Sequence, residues 1–301
     1  MSTHRFTREA NHSCRIAYAT SAEMPQFYEE DLGLVAALRA RGVEPVLAIW
    51  SDLDHDWCQY DAVLIRTIWD YFRRYPEFLR WLKRLASLGV RTLNENALLR
   101  WNSDKCYLLQ LEAIGVPVVP TTFVSGDSLA HAIAQFDHDE LVVKPTVSGG
   151  AWHAFRGRRD DPALAVAIAA APKSMDYLVQ PFVPEVVRDG EWSLLWFGGE
   201  PSHAVVKRAC DGEWRVQSDF GGRFDVLGAP AEVTHAAGRV LDAVTSLGFR
   251  RTTYARIDGV LVDGQFLLME LEVIEPRLFF TGDPREADRF ADAIVADLRA
   301  V

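Results

Sequence analysis

The sequence predicts an α/β protein whose C-terminal part is better described as α+β. Short apolar segments alternate with segments of helical periodicity in residues 14–88, which is typical of strands and helices that follow one another. Residues 191–209 and 254–273 each predict a β-hairpin, and helical stretches follow both of them. The 301 residues, of which 49% are hydrophobic, suffice for a sizeable core in one large domain or in two to three small ones.

The N-terminal region predicts a small, mainly parallel sheet. Its segments follow the order strand–helix–strand–strand–helix, over residues 14–20, 29–41, 43–50, 61–70 and 76–88. Pro76 suits the first turn of the last helix, and Gly89 follows its end. Strands that alternate with helices are typical of an α/β unit with a parallel sheet.

The pattern changes after residue 94. Residues 94–111 predict two short helices. The elements predicted after them are strands at 121–124, 141–145 and 177–183, hairpins at 191–209 and 254–273, and helices at 162–171, 231–247 and 285–300. The predicted division is a loose polar leader (1–13), an N-terminal α/β domain (14–100), a central subdomain (101–176) that contains a loop at 146–157, and a C-terminal subdomain (177–301).

Composition narrows the classes of function. A formal net charge of −10 disfavours a general nucleic-acid binder, which needs a basic surface, although it allows a local cationic pocket for a phosphate ligand. No apolar run is long enough to span a membrane, and residues 1–13 lack the apolar stretch of a signal peptide, so we expect a cytoplasmic protein. No pair of the four cysteines has metal-ligand spacing, which disfavours a zinc site.

The second hairpin brings acidic residues together. In MELEVIEPR (269–277), Glu270 and Glu272 point to one face of a strand. A two-residue turn at Asp263-Gly264 would send Asp258 to the opposite face, whereas a three-residue loop with Gly264 in the left-handed region brings it to the same face. We predict the second register because it separates polar from apolar side chains. It places on one face Tyr254, Arg256, Asp258, Leu268, Glu270 and Glu272.

This acidic face has two interpretations. Asp258, Glu270 and Glu272 supply three converging oxygen donors, which suit Mg²⁺, a hard ion that is often shared with phosphates. A solvated strand face with an ion pair from Arg256 would show the same residues. The hairpin alone leaves both interpretations open.

A glycine-containing loop, KPTVSGG (144–150), follows a predicted strand. Gly149 and Gly150 allow the backbone to approach a polyanion, and Lys144 would supply a positive charge. The pattern is neither GxxxxGK[ST] nor GxGxxG, so the P-loop and the Rossmann fingerprint are absent. An ordinary surface loop is the alternative interpretation.

Taken together, these segments resemble an ATP-grasp ligase of the glutathione synthetase/RimK type. The branch to which the chain is most similar contains the D-cycloserine-forming (O-ureido-D-serine) cyclo-ligase. The matching segments are WNSDKCYLLQLEAIGVPVVPT (101–121), VVKPTVSGGAWHAFRG (142–157), YLVQPFVPEVVRDGEWSLLWFGG (177–199), HAVVKRACDGEWRVQSDFGG (203–222), YARIDGV (254–260) with LLMELEVIEPRLF (267–279), and TIWDY (67–71). The resemblance implies an ATP-grasp fold, in which a pre-ATP-grasp domain precedes two subdomains that clasp ATP.

The resemblance also implies roles for individual residues. The nucleotide-binding residues would be Lys105 and Lys144 at the phosphates, Gly149 and Gly150 in a lid loop, Gln180 with the backbone of Phe182 and Val183 at the adenine, and Glu185 at the ribose. The others would be Lys207 and Arg215 along the triphosphate, Arg256 at the transferring group, Asp258, Glu270 and Glu272 at Mg²⁺, and Trp69, Asp70, Glu275 and Arg277 at the substrate. Structural roles are the alternatives: a helix-surface ion pair for Lys105, a strand end for Gln180, solvated hairpin charges for Lys207 and Arg215, and loop packing for Trp69 and Asp70.

The implied reaction is ADP-forming ligation of a carboxylate to an amine through an acyl phosphate, with ATP and Mg²⁺, or Mn²⁺ as the alternative ion. Many relatives carry Glu-x-Asn where this chain has Glu270-Leu-Glu272, which puts the ion preference in doubt. A small-molecule kinase and a non-catalytic ATP-binding protein are the alternatives. The expected partners are small carboxylate and amine substrates, and a homodimer is one assembly to test. The substrates themselves, and ligation between two molecules versus cyclisation within one, stay open.

Overall fold

A four-stranded parallel sheet forms the N-terminal part of the computed structural model, which describes residues 14–300. The predicted leader lies outside the described residues. The elements of this part are β1 (Cys14–Thr20), α1 (Leu32–Ala40), β2 (Val43–Ile49), β3 (Ala62–Thr67), α2 (Tyr75–Ser87) and β4 (Thr92–Leu93). The strands lie in the order β2-β1-β3-β4 and all neighbours are parallel, which confirms the predicted sheet. Its central strands are buried on both faces because helices and the rest of the chain cover the sheet.

Two helices, α3 (Asn96–Asn102) and α4 (Tyr107–Ala113), lead into a four-stranded central sheet. The elements of this part are β5 (Thr122–Ser125), α5 (Leu129–Ala134), β6 (Glu140–Pro145), β7 (Phe155–Arg158), α6 (Pro162–Ala170) and β8 (Asp176–Pro181). The strand order is β5-β8-β6-β7, and every pairing is antiparallel. This sheet has a small core of its own, formed with α5 and α6.

A five-stranded antiparallel sheet completes the chain. Its elements are α7 (Glu185–Arg188), β9 (Glu191–Phe197), β10 (Glu200–Arg208), β11 (Arg223–Val226), α8 (Ala231–Ser246), β12 (Tyr254–Val262), β13 (Gln265–Glu272) and α9 (Pro284–Arg299). The strand order is β11-β10-β9-β12-β13, and both predicted hairpins are present. Helix α9 packs on α1, and Phe290 joins Leu34 and Phe197 in one core, so this sheet and the N-terminal sheet share buried side chains. Within residues 14–300, no helix combines the length and apolar character needed to cross a bilayer.

Two predicted boundaries were wrong. Strand β8 was assigned to the C-terminal subdomain, but it pairs with β5 and β6 in the central sheet. Helix α4 was assigned to the central subdomain, but Leu108 and Leu111 pack with Leu194 and Ile257 under the C-terminal sheet. Periodicity defines an element but does not identify the layer against which it packs. The predicted loop 146–157 is also shorter than expected, since β7 begins at Phe155.

The β12–β13 hairpin reaches the predicted arrangement of carboxylates by a different route. The turn has two residues, Asp263 and Gly264, both with positive φ, and Val262 pairs with Gln265. The register then shifts at a β-bulge between Asp258 and Gly259, after which Asp258 faces Glu270. The three-residue loop was therefore wrong, while the shared face of the carboxylates was correct.

The bulge also changes which apolar residues face the cavity. Leu268, expected beside the carboxylates, is buried in the core, and Met269 lines the cavity instead. The segment before β5 braces the bulge, since the Val119 amide donates to the Leu268 carbonyl (3.0 Å). Gly259 is needed here because a Cβ atom would lie 2.3 Å from the Phe266 ring.

Candidate active site

A cavity of about 920 Å³ lies where the three parts of the chain meet, a size typical of ligand sites. It contains most of the predicted site residues. Those that line it are Trp69, Lys105, Lys144, Gly149, Gly150, Gln180, Phe182, Val183, Lys207, Arg215, Arg256, Asp258, Glu270, Glu272, Glu275 and Arg277. Glu185 and Asp70 do not line it.

Two lysines occupy the side of the cavity next to the glycine-containing loop. The buried Lys105 ammonium donates to the Ser148 carbonyl (2.6 Å) and forms an ion pair with Glu270 (3.1 Å). It thereby links the loop to β13. Lys144 lies on β6, and within residues 14–300 no carboxylate forms an ion pair with it. Burial lowers the pKa of Lys144, against the attraction of Glu270. An anionic ligand in the cavity would stabilise the charged form of this amine.

The glycine-containing loop packs against the aromatic ring of Phe72. Gly149 lies so near Phe72 that a Cβ atom would be 2.9 Å from its ring, and Gly150 has a φ of +57°. The rings of Phe72 and Trp152 are 5.5 Å apart. Glycine is therefore favoured at both positions, for a close approach at the first and for a left-handed backbone at the second.

The predicted hinge residues lie at the end of β8, the strand that leads out of the central sheet. Gln180 is buried, and its side-chain amide donates to the Thr121 hydroxyl (2.8 Å). The Phe182 amide donates to the Glu140 carbonyl (3.0 Å), so this N–H is already used within the sheet. The Phe182 ring lies under the Arg156 guanidinium, 3.5 Å from its centroid. Val183 completes this wall of the cavity.

Glu185 is not where its predicted role requires it. It begins the short helix α7 and forms an ion pair with Arg188 one turn later (3.3 Å). Another acid six residues further along the chain, Glu191, lines the cavity and was missed. Its carboxylate lies 2.6 Å from the Lys207 ammonium. The sequence carried a signal for it, since Glu191 and Ser193 are polar residues two apart in an apolar strand.

A buried network of charges joins β9, β10 and β12. Both Asp258 oxygens are occupied, because Arg256 donates to each of them, Ser193 to one (2.6 Å) and Lys207 to the other (3.0 Å). Lys207 also contacts Glu191. The network explains why these polar side chains can be buried, since each charge has an opposite partner.

The pKa shifts follow from burial and these partners. Although burial by itself would raise the pKa of Asp258, Arg256 and Lys207 hold it well below its ordinary value. Burial would lower the pKa of Lys207, but Asp258 and Glu191 raise it. Burial raises the pKa of Glu191 despite the attraction of Lys207. The network therefore keeps Asp258 ionised and both cations charged.

Glu270 and Glu272 open towards the cavity, with 30% and 25% of their side chains exposed. Burial raises the pKa of Glu272 to about 7 against the attraction of Arg256, and the charge of Glu270 adds to the shift. Two neighbouring, partly buried carboxylates are a donor set that fits a divalent cation. Asp258, the third predicted ligand, lies on the same face, and in the free protein its oxygens accept from Arg256, Lys207 and Ser193. Within residues 14–300, no three His, Cys, Asp or Glu side chains form a preassembled metal cluster.

The predicted substrate residues are divided between the cavity and the core. The Trp69 indole donates to the Glu275 carbonyl (3.1 Å), which ties the N-terminal domain to the segment after β13. Arg277 lines the cavity and forms an ion pair with Glu30, which does not line it. Asp70, in contrast, is buried and accepts from the Trp50 indole (2.8 Å), so its placement in a substrate pocket was wrong.

Arg215 lies in the segment between β10 and β11. Its guanidinium pairs with Glu213 (2.6 Å) and stacks on Phe220, 3.6 Å from the ring centroid. The side chain lines the cavity with 28% of its surface exposed. This arrangement holds a positive charge at the rim of the cavity.

The chain matches two known protein families. Residues 16–94 match the family described as D-cycloserine synthetase DcsG, N-terminal domain, and residues 104–273 match the prokaryotic glutathione synthetase ATP-grasp domain. The cycloserine biosynthesis protein DcsG of Streptomyces lavendulae is 34% identical over 281 residues, which cover 88% of this chain and 93% of that protein. The glutathione synthetase of Bordetella pertussis is 23% identical, over 84% of this chain and 88% of that protein.

Solved structures show the same architecture. The crystal structure of D-cycloserine synthetase DcsG superposes with a TM-score of 0.84 at 32% identity, over 95% of this chain and 100% of that one. A RimK domain ATP-grasp protein from Sphaerobacter thermophilus superposes with a TM-score of 0.69 at 20% identity, over 94% of this chain and 100% of that one. The chain therefore belongs to the ATP-grasp ligases of the prokaryotic glutathione synthetase type, and it is an ATP-dependent enzyme that forms carbon–nitrogen bonds.

Proposed function

We propose that this enzyme joins the carboxylate of a small, amino-acid-like substrate to a nitrogen atom, with hydrolysis of ATP to ADP and phosphate. Ring closure within one molecule, as the name of its D-cycloserine synthetase relatives indicates for them, is the form of the reaction we favour. The observation that carries the proposal is the meeting of Lys105, Lys144, Lys207 and Arg256 with Glu270 and Glu272 in one cavity.

The reaction proceeds in two displacements. A carboxylate oxygen of the substrate attacks the γ-phosphorus of ATP, the bond to ADP breaks, and an acyl phosphate forms. The nitrogen then attacks the acyl carbon, phosphate leaves with the bonding electrons, and the nitrogen loses a proton. The protein needs no nucleophile of its own, so its contribution is orientation and neutralisation of charge.

The side chains divide these tasks. Lys105 and Lys144 hold the phosphates from the side of the loop, and Lys207 from the opposite wall, with Arg215 at the rim. Gln180 and the backbone around Val183 contact the adenine. Arg256, whose Nε and Nη2 atoms are held by Asp258, faces the transferring group. Because its orientation is set before the substrate binds, no reorganisation is needed during the reaction.

Glu270 and Glu272 would hold Mg²⁺. When bound, the ion neutralises phosphate charge. Asp258 acts through the side chains that it orients, Arg256 and Lys207, rather than as a ligand. Arg256 and Lys105, which pair with the two glutamates in the free protein, are then available to the anionic substrates.

A screen for phosphate release tests this proposal. Purified enzyme with ATP and Mg²⁺ is incubated with pools of amino acids and small carboxylates, and the Glu270→Gln variant is run in parallel. Release of equimolar ADP and phosphate, only with a particular pool and only by the unmodified enzyme, supports the ligase. ATP cleavage that yields a stable phosphorylated product in place of free phosphate would identify a kinase, and failure to bind ATP would overturn the proposal.

A further inference from the structure

One half-buried acid of the cavity differs from its neighbours. Four acids of the inner wall are paired with cations: Glu191 with Lys207, Asp258 with Arg256 and Lys207, Glu270 with Lys105, and Glu272 with Arg256. The fifth is Glu275, and no Lys or Arg of residues 14–300 forms an ion pair with it. Two further acids of the cavity, Glu23 and Asp219, are exposed at its rim, where water solvates them.

Hydrogen bonds from side chains of other elements hold the backbone around Glu275. Four successive carbonyls, those of residues 274–277, each accept a hydrogen bond from a side chain of another element. The donors are Tyr254 (2.8 Å) to Ile274, Trp69 (3.1 Å) to Glu275, Arg66 (3.0 Å) to Pro276 and Arg256 (3.1 Å) to Arg277. Three of these donors are buried and the indole is partly buried. The Glu275 side chain is therefore presented to the cavity from a rigid support, as a recognition residue requires.

A partly buried carboxylate without an ion-pair partner costs free energy, because burial removes part of the water that would solvate its charge. Burial raises the pKa of Glu275 to about 8, and the charges of Glu272 and Glu270 add to the shift. Lys105 attracts this carboxylate from a distance, but the part of the chain that the structure describes places no cation in an ion pair with it. A bound cation would form that ion pair.

The surroundings favour an organic ammonium over a second metal ion. Tyr28 and Trp69, whose ring centroids are 5.1 Å apart, line this side of the cavity together with Tyr71. Aromatic faces attract ammonium groups, whereas Mg²⁺ requires several oxygen donors and retains water. We infer that Glu275 binds the ammonium group of a small amino-acid substrate and so selects free amines over N-blocked ones. The inference rests on the proposed function, since it assigns the substrate class of the same cavity.

Binding measurements test the inference without turnover. A panel of L- and D-amino acids is titrated by calorimetry into the enzyme with Mg²⁺ and a non-hydrolysable ATP analogue, and the tightest binder is compared with its N-acetyl derivative. We expect the derivative to bind about 10- to 100-fold more weakly, the size of one charge-assisted hydrogen bond. In the Glu275→Gln variant, the affinity for the free amino acid should fall by a similar factor, while the affinity for the N-acetyl derivative should not change.

Two further variants separate this role from a structural one. Glu275→Asp keeps the charge and should keep most of the preference for the free amine. Glu23→Gln removes an exposed acid from the rim of the same cavity and should leave the affinity for both ligands unchanged. Equal discrimination by Glu275→Gln and the unmodified enzyme would overturn the inference, as would the absence of saturable binding by every amino acid. Binding of the ATP analogue, measured separately, reports on the proposed function, so the two hypotheses can fail independently.

Discussion

Two buried clusters of charge in this molecule have similar residues and different surroundings. In the N-terminal domain, the fully buried Arg66 guanidinium binds Asp31 (2.8 Å), and the Tyr18 hydroxyl donates to the same carboxylate (2.7 Å). In the C-terminal sheet, Arg256 binds Asp258 in the same two-donor manner, but this cluster borders the cavity. We call the Arg66–Asp31 cluster closed, because protein surrounds it, and the cluster of charges around Arg256 open, because it borders the cavity.

The difference shows how one kind of interaction serves two purposes. In the closed cluster every charge has a partner within the protein, and burial together with Asp31 raises the pKa of Tyr18, which stays protonated. In the open cluster, acids outnumber their partners, and Glu272 and Glu275 have raised pKa values. The closed cluster stabilises the fold, whereas the open one leaves charge to be compensated by ligands.

The largest expected effect lies in the closed cluster. Arg66→Met leaves Asp31 buried without its cation and removes the donor to the Pro276 carbonyl, so we expect a loss of about 3–5 kcal/mol in the free energy of unfolding. Chemical denaturation measures it. The double variant Arg66→Met/Asp31→Leu removes both charges and should recover much of the loss. If the single variant were as stable as the unmodified chain, the closed cluster would not be a structural element.

The open cluster should behave in the opposite way. Glu270→Gln removes a carboxylate proposed to hold Mg²⁺, and we expect turnover to fall by about 100-fold or more. The unfolding temperature should change by about 2 °C or less, because the residue is partly exposed and only one ion pair is lost. Steady-state phosphate release and thermal unfolding check the two parts. Glu112→Gln, an exposed acid on α4, is the control, and a Glu270→Gln enzyme with most of its activity would contradict the metal assignment.

Lys144 tests the cationic wall of the same cluster. Lys144→Ala should raise the apparent KM for ATP by about 10-fold or more, because one charge-assisted contact to phosphate is lost. The exposed Lys173 of the same subdomain provides the control, and Lys173→Ala should leave the KM unchanged. An unaltered ATP dependence in Lys144→Ala would move the phosphate site elsewhere in the cavity.

The smallest effect concerns the charge of Glu275 in the free enzyme. Because its pKa is raised from 4.5 to about 8, its contribution to stability is complete below pH about 4.5 and is lost as the pH rises through 8. Glu275→Gln should therefore be more stable than the unmodified enzyme at pH 9 by an amount on the order of 1 kcal/mol, or about 2–4 °C, and this gain should vanish near pH 5. Thermal unfolding from pH 5 to 9 measures it. Parallel curves for the two proteins would show that Glu275 is already compensated.

The β12–β13 hairpin was predicted only in part from the sequence. Alternation of polar and apolar residues placed Asp258, Glu270 and Glu272 on one face correctly. It could not detect the bulge, because a two-residue turn followed by a bulge and a three-residue loop give the same parity. The bulge depends on contacts from residues 117–119, which lie far from the hairpin in sequence. A local pattern carries no information about such contacts.

Single residues were misplaced for a related reason. Asp70 was expected beside the substrate with Trp69, but it accepts a hydrogen bond from Trp50, which follows β2. Glu185 was predicted at the ribose and Glu191 was not predicted, although Glu191 lines the cavity and pairs with Lys207. In each case the sequence placed polar residues close together but did not show which of them faces the cavity. The fold decided which of them met a partner.

The sequence by itself determined the succession of helices and strands, the parallel N-terminal sheet, both hairpins and the family, because periodicity and local motifs are properties of consecutive residues. Only the tertiary structure decided that β8 joins the central sheet and that Asp258 is held by Arg256, Lys207 and Ser193. It also decided that no cation among residues 14–300 forms an ion pair with Glu275. These facts depend on burial and on partners up to 206 residues away, as between Trp69 and Glu275. The energy of a charge is set by its surroundings in space, and the order of the chain does not specify them.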